Sequence, residues 1–106
     1  MQSTVVDVRY IKCLSHVITV EYVQHVSWDG SPLGQCNFQQ CHILINTSAP
    51  STVQDSSLLH ELLHFIEGTN GLELEEKQIC ALEVGLYDLI VNNKELIQSF
   101  WRDDDV

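Results

Sequence analysis

At Pro50 the hydrophobic pattern of this chain changes period, and that change limits the possible folds more than any other feature. Upstream, apolar residues alternate with polar ones; downstream they recur every three or four residues. Period two belongs to strands with one covered face, and period 3.6 to helices with one covered stripe. Strands first and helices after predict an α+β domain. At 106 residues the chain suffices for one core but not two, so residues 1–106 are read as a single domain.

Residues 4–12 form the first predicted strand, with Val6, Val8 and Tyr10 on one side. Residues 16–26 form the second: Ile18, Val20, Tyr22 and Val26 face one way, and Thr19, Glu21 and His25 the other. Their short link predicts an antiparallel pair. Residues 28–35 (WDGSPLGQ) hold two glycines and a proline and read as a loop. Residues 41–46 (CHILIN) read as a third strand, which leads toward the first helix. The expected sheet is therefore three-stranded and mostly antiparallel.

Past Pro50, Ser51 and Gln54 have the spacing of a capping box. Leu59, Leu62, Leu63 and Ile66 follow the i, i+3, i+4, i+7 rule of a core-facing helix stripe. Gly68 and the Asn70-Gly71 pair end that helix. A second helix is predicted over residues 75–91, burying Ile79, Leu82, Leu86, Leu89 and Ile90. Asn92 and Asn93 break it, and a short last helix carries Leu96, Ile97, Phe100 and Trp101. Trp28 and Trp101 are expected to cover the core.

Inside the first helix stands His60-Glu61-Leu62-Leu63-His64, an HExxH motif. Residues four apart share a helix face, so both imidazoles can reach one tetrahedral zinc ion. Glu61 neighbours the first ligand and is poorly placed to bind the same ion. Its carboxylate projects beside the open position, where a general base would take a proton from water. The motif is offset from the apolar stripe, on the rim of the core where a cleft would lie. The string alone is moderately specific; its helical setting strengthens the metal reading over that of a metal-free histidine pair.

A third protein ligand is needed, and no histidine follows His64; the other three, His16, His25 and His42, all precede the motif. A carboxylate must serve, and the second helix and its approach offer Glu73, Glu75, Glu76 and Glu83. Glu76 and Glu83 are seven apart and share a helix face, about 10 Å apart along the axis. Spacing does not separate them. Tyr87, His25 and His42 are lesser candidates for hydrogen bonding to an oxyanion, each more readily read as a packing or surface residue.

From Leu58 to Leu96 the chain resembles the short phage- and prophage-encoded metallopeptidases distantly related to the ImmA/IrrE group. The resemblance rests on LLHELLHFIEG, on Gly71-Leu72 and on Gly85-Leu86-Tyr87, with Leu33-Gly34-Gln35 and Ile43-Leu44-Ile45 fitting upstream. It covers most of the chain after residue 30 and little before. It implies a minimal zincin fold, with a small sheet against an HExxH helix and a ligand-bearing second helix. It implies zinc as cofactor, a protein or peptide substrate, and as third ligand the glutamate at the start of the second helix, with apolar residues three and six later. Glu76, followed by Ile79 and Leu82, matches that frame, whereas Glu83 falls where the family carries a small residue. It also implies that the sheet edge beside the metal receives an extended peptide, and residues 41–46 are the expected edge.

Composition narrows the alternatives. Five Lys and Arg face fifteen Asp and Glu, a formal net charge of −10, which repels phosphate backbones and anionic lipid. Neither a nucleic acid nor a membrane is expected as a partner. The N-terminal pattern lacks a signal peptide's basic and apolar regions, and no apolar run has transmembrane length, so the protein is expected in the cytoplasm, that of the host if phage-encoded. Cys13, Cys36, Cys41 and Cys80 are expected as free thiols. Cys36, Cys41 and His42 lie close in sequence but fit no common zinc knuckle, and the two thiols are read as structural. The competing function is a zincin-like module that holds zinc for stability and binds a protein without cutting it. A third reading is a metal-free interaction protein in which HExxH is coincidental.

Overall fold

Two left-handed residues close the first hairpin. Leu14 and Ser15 take φ of 51° and 66°, the positive-φ pair of a tight two-residue hairpin turn. They join strand β1 (Ser3–Cys13) to β2 (His16–His25), which pair antiparallel as the alternation predicts. The computed structural model describes residues 3–25 and 33–101. Val26, Trp28, the first part of the expected 28–35 loop and the side chain of His25 lie outside what is described.

Among the described residues the sheet has four strands, not three. Gly34–Asn37, its first two residues placed in a loop by the sequence reading, is strand β3. It turns through a 3-10 helix at Phe38–Gln40 and a left-handed Cys41 (φ 53°) into β4 (His42–Asn46). The strand order is β1-β2-β4-β3, with β2 and β4 parallel and the other two pairs antiparallel. The expected edge, residues 41–46, is thus an interior strand, and among the described residues β3 is the edge on that side. A four-residue strand that begins with glycine carries too little alternation to be seen alone; its pairing with Ile43 and Ile45 makes it a strand.

Among the described residues three helices follow: α1 (Ser51–Thr69), α2 (Glu76–Asn92) and α3 (Lys94–Gln98). The Ser51/Gln54 capping box does not form. Pro50 is the N-cap, and the Gln54 amide donates instead to the carbonyls of Thr47 and Ala49. The box forms on α2, where Glu75 and Gln78 cap each other's backbone.

Ile18, Val20, Ile43, Ile45 and Phe65 are fully buried and make the core, with Leu58 and Leu62 packed against it. Burying each such side chain stabilises the fold by about 1.5–3 kcal/mol. The buried line of α1 is Ser57, Glu61 and Phe65 rather than the predicted Leu59, Leu62, Leu63 and Ile66. On α2 only Ile79 is buried; Leu82, Leu89 and Ile90 are exposed and Leu86 is half-buried. The cause is the layering: α2 packs on α1, and α1 covers the sheet. Trp101 is 76 % exposed and covers no core. No helix among the described residues is long and apolar enough to cross a membrane.

Candidate metal centre

The i, i+4 spacing on α1 sets the rings of His60 and His64 side by side, their centroids 4.9 Å apart. Both Nε2 atoms point to one carboxylate, that of Glu76 in the first turn of α2. Its Oε1 lies 2.7 Å from His60 Nε2 and its Oε2 3.2 Å from His64 Nε2. Of the two carboxylates that spacing left open, Glu76 is the one that joins both histidines.

Glu83 takes a different place. Its Oε1 lies 2.7 Å from Nδ1 of His60, and its Oε2 accepts a hydrogen bond from the Ser56 hydroxyl. His64 is held in the same way from its own helix, with Nδ1 3.0 Å from Oε1 of Glu67. Glu67 Oε2 also accepts the Leu74 backbone N–H at 2.6 Å, which ties the α1–α2 connection to the site. Each imidazole therefore has Nδ1 on a carboxylate of its own and Nε2 on Glu76. In metal-binding proteins a carboxylate on the far ring nitrogen orients a ligating imidazole and raises its basicity.

The donor set fits a zinc ion. One oxygen of Glu76 and one nitrogen from each histidine lie within 4.8 Å of one another. Two neutral nitrogens and a carboxylate make up a three-ligand set known from zinc hydrolases. A second group, His60, Cys80 and Glu83, meets the same distance test, but it shares His60 and uses the carboxylate that already holds that ring. Cys36, Cys41 and His42 form no such group among the described residues. His42 pairs with Glu21 across the β2–β4 ladder, and Cys36 and Cys41 pack against the core. All four cysteines are free thiols.

Glu61 belongs to neither of these donor groups. It is 8 % exposed and lies over β3, where Gly34 makes room for it. A Cβ on Gly34 would stand 3.0 Å from Glu61 Cγ and 3.1 Å from its Oε2. Burial pushes the Glu61 carboxyl above the usual carboxylate range; His60 and His64 pull it back, while Glu76 and Glu83 push it further up. A carboxylate raised in this way is a better proton acceptor at neutral pH. Burial alone would lower the His60 pKa, but hydrogen bonding to Glu83 and the charges of Glu61, Glu76 and Glu83 outweigh it and raise it.

Glu67, Ser56 and Gly34 escaped the sequence reading. Glu67 did leave a trace, since it lies three residues after His64 and so on the same helix face. Gly34 entered only within the Leu33-Gly34-Gln35 part of the resemblance, with no role attached, and Ser56 left no trace. Tyr87 is half-buried and lines neither cleft beside the motif. No protein-family model matches this chain, and neither the curated proteins nor the solved structures contain a match to it.

Proposed function

We propose that the protein is a zinc-dependent metallopeptidase with a minimal zincin arrangement, in which His60, His64 and Glu76 hold the metal and Glu61 is the general base. One observation carries this reading: both motif histidines converge through Nε2 on Glu76 while their Nδ1 atoms are fixed by Glu83 and Glu67. Two rings locked this way have little rotamer freedom left to lose on binding an ion. The resemblance of residues 58–96 to short phage-encoded metallopeptidases supports the same reading and the peptide nature of the substrate.

Held by His60, His64 and Glu76, a zinc ion would supply Lewis acidity, lowering the pKa of a water toward about 7 and polarising a substrate carbonyl. The protein supplies the rest. Glu61 accepts the water proton at a carboxylate whose affinity for protons is raised by burial, and returns it to the leaving amine. Strand β3 presents an edge unpaired among the described residues beside Glu61, where an extended peptide can add as a further strand. This edge takes the place that the sequence reading gave to residues 41–46.

The non-catalytic zinc module remains the rival. A purely structural site has no use for a buried carboxylate beside the ligands, whereas a hydrolase needs one. The deciding experiment pairs zinc content with cleavage of a fluorophore-labelled unfolded protein, for wild type and Glu61→Gln. About one zinc per chain in both, with cleavage reduced about 10²–10⁴-fold in the variant, is the expected result. Zinc-loaded wild type that cuts nothing would favour the binding module, and no zinc in either protein would sink both.

A further inference from the structure

Glu61 lines two clefts at once. One of about 550 Å³ lies on the His60 side, and one of about 750 Å³ lies on the His64 side. Both are walled by Glu61, and β3 runs from Gly34 in the first to Cys36 in the second, so a peptide laid along β3 would pass through each as one half of a groove.

The halves differ in their free charge. On the His60 side, Glu83 is engaged by His60 and Ser56, and Glu76 by both imidazoles. Among the described residues the wall beyond them, with Thr52, Val53 and Ser57, carries no charge. On the His64 side, Glu67 is engaged by His64 and the Leu74 N–H. Glu73 in that half has no ion pair among the described residues. Phe38 and Leu72 line the same half and are 39 % and 52 % exposed.

A side chain with an apolar stem and a cationic head satisfies each of these features. Its methylenes cover Phe38 and Leu72 while its head meets Glu73, and a guanidinium can also stack on the Phe38 ring. We infer that the His64 half of the groove selects lysine or arginine, with Glu73 as the specificity-determining residue, and that the His60 half takes a small uncharged side chain. The inference rests on the peptidase reading above. The net charge of −10 favours encounter with cationic peptides. Antiparallel addition to β3, the more stable pairing, lays the N-terminal half of the peptide over Glu73. The basic residue therefore falls N-terminal to the cut bond.

The test is a synthetic peptide library with varied positions, digested by the zinc-loaded protein and read by mass spectrometry of the products. In parallel, the uncut library is captured on immobilised, zinc-loaded Glu61→Gln. Lysine and arginine should be enriched roughly fivefold over norleucine on the N-terminal side. Glu73→Gln should remove that preference, and Glu73→Lys should replace it with one for aspartate and glutamate. Capture by Glu61→Gln should follow the same order. No basic preference, or one unchanged in Glu73→Lys, would overturn the inference. Selective capture of basic peptides with no cleavage by wild type would sink the peptidase reading and leave this specificity standing.

Discussion

Glu83 reaches across from the second helix to Nδ1 of His60, 2.7 Å away, and so holds the ring from the side opposite Glu76. The two carboxylates share a helix face but have different work, which removal of each should reveal. Glu76→Ala takes away one of three donors and should abolish stable zinc binding. Glu83→Ala leaves the donors and frees the ring, so zinc affinity should fall about 10–100-fold without being lost. Zinc titration with a competing chelator separates the two outcomes. Equal zinc affinity in Glu76→Ala and wild type would show that the ion is held elsewhere. If wild type holds zinc as proposed, chelation should lower its melting temperature, because an ion bound to the folded chain alone stabilises it by mass action.

Gly34→Ala tests whether the position of Glu61 matters apart from its chemistry. The added methyl would stand 3.0 Å from Glu61 Cγ and 3.3 Å from Ile45 Cδ1, so the carboxylate must shift by a few tenths of an ångström. The φ of Gly34 is not in the left-handed region, and the backbone itself tolerates alanine. Zinc content should stay at the wild-type level while kcat falls, roughly tenfold for a displacement of this kind. An unchanged kcat would mean that the base does not depend on its contact with β3.

The Leu14-Ser15 turn places two L-residues with side chains in the left-handed region, at about 1–2 kcal/mol each. Leu14 is also 51 % exposed, so its side chain returns little by burial. Replacing the pair with Asn-Gly suits a turn with positive φ at both positions. The melting temperature should rise by about 4–8 °C per kcal/mol recovered, with zinc content unchanged. A fall would show that Leu14 makes a stabilising contact outweighing the backbone strain.

Much of this arrangement could be read from the residues alone, and the parts that could not share a cause. Ile18 and Val20 alternate within a long strand, and His60 and His64 stand one turn apart in a long helix, so local periodicity locates them. Strand β3 and the true inner line of α1 are set by what they meet. Gly34 belongs to a strand because β4 lies beside it, and Glu61 belongs to the buried line because Gly34 leaves room beneath it. An apolar count assigns Leu63 and Ile66 to the core in place of Ser57 and Glu61. The same counting overstates α2, where Leu82, Leu89 and Ile90 fit a stripe but lie beyond the reach of the sheet. The choice between Glu76 and Glu83 likewise depends on how α2 crosses α1, which no spacing within α2 encodes.

Cys36 offers a report on the charge of Glu61 that needs no substrate. Burial, then the nearby Glu61 carboxylate, then Cys41 push its thiol up to about 11. A thiol resists alkylation while protonated, so a raised pKa means less of the reactive thiolate at every pH below it. Relative to the ordinary value of 9.0, a shift to about 11 leaves about a hundredfold less thiolate at pH 8. Pulses of iodoacetamide on the metal-free protein, followed by peptide mass spectrometry, should therefore label Cys36 far more slowly than in the denatured chain. Its rate should climb steadily between pH 8 and about 11. In Glu61→Gln one of the three causes is gone, and labelling at pH 8 should quicken, although burial still holds it below the denatured rate. Labelling as fast as in the denatured chain would mean that Cys36 is not packed beneath α1. A rate unchanged in Glu61→Gln would mean that this carboxylate is neutral at pH 8 or lies too far from the thiol to act on it.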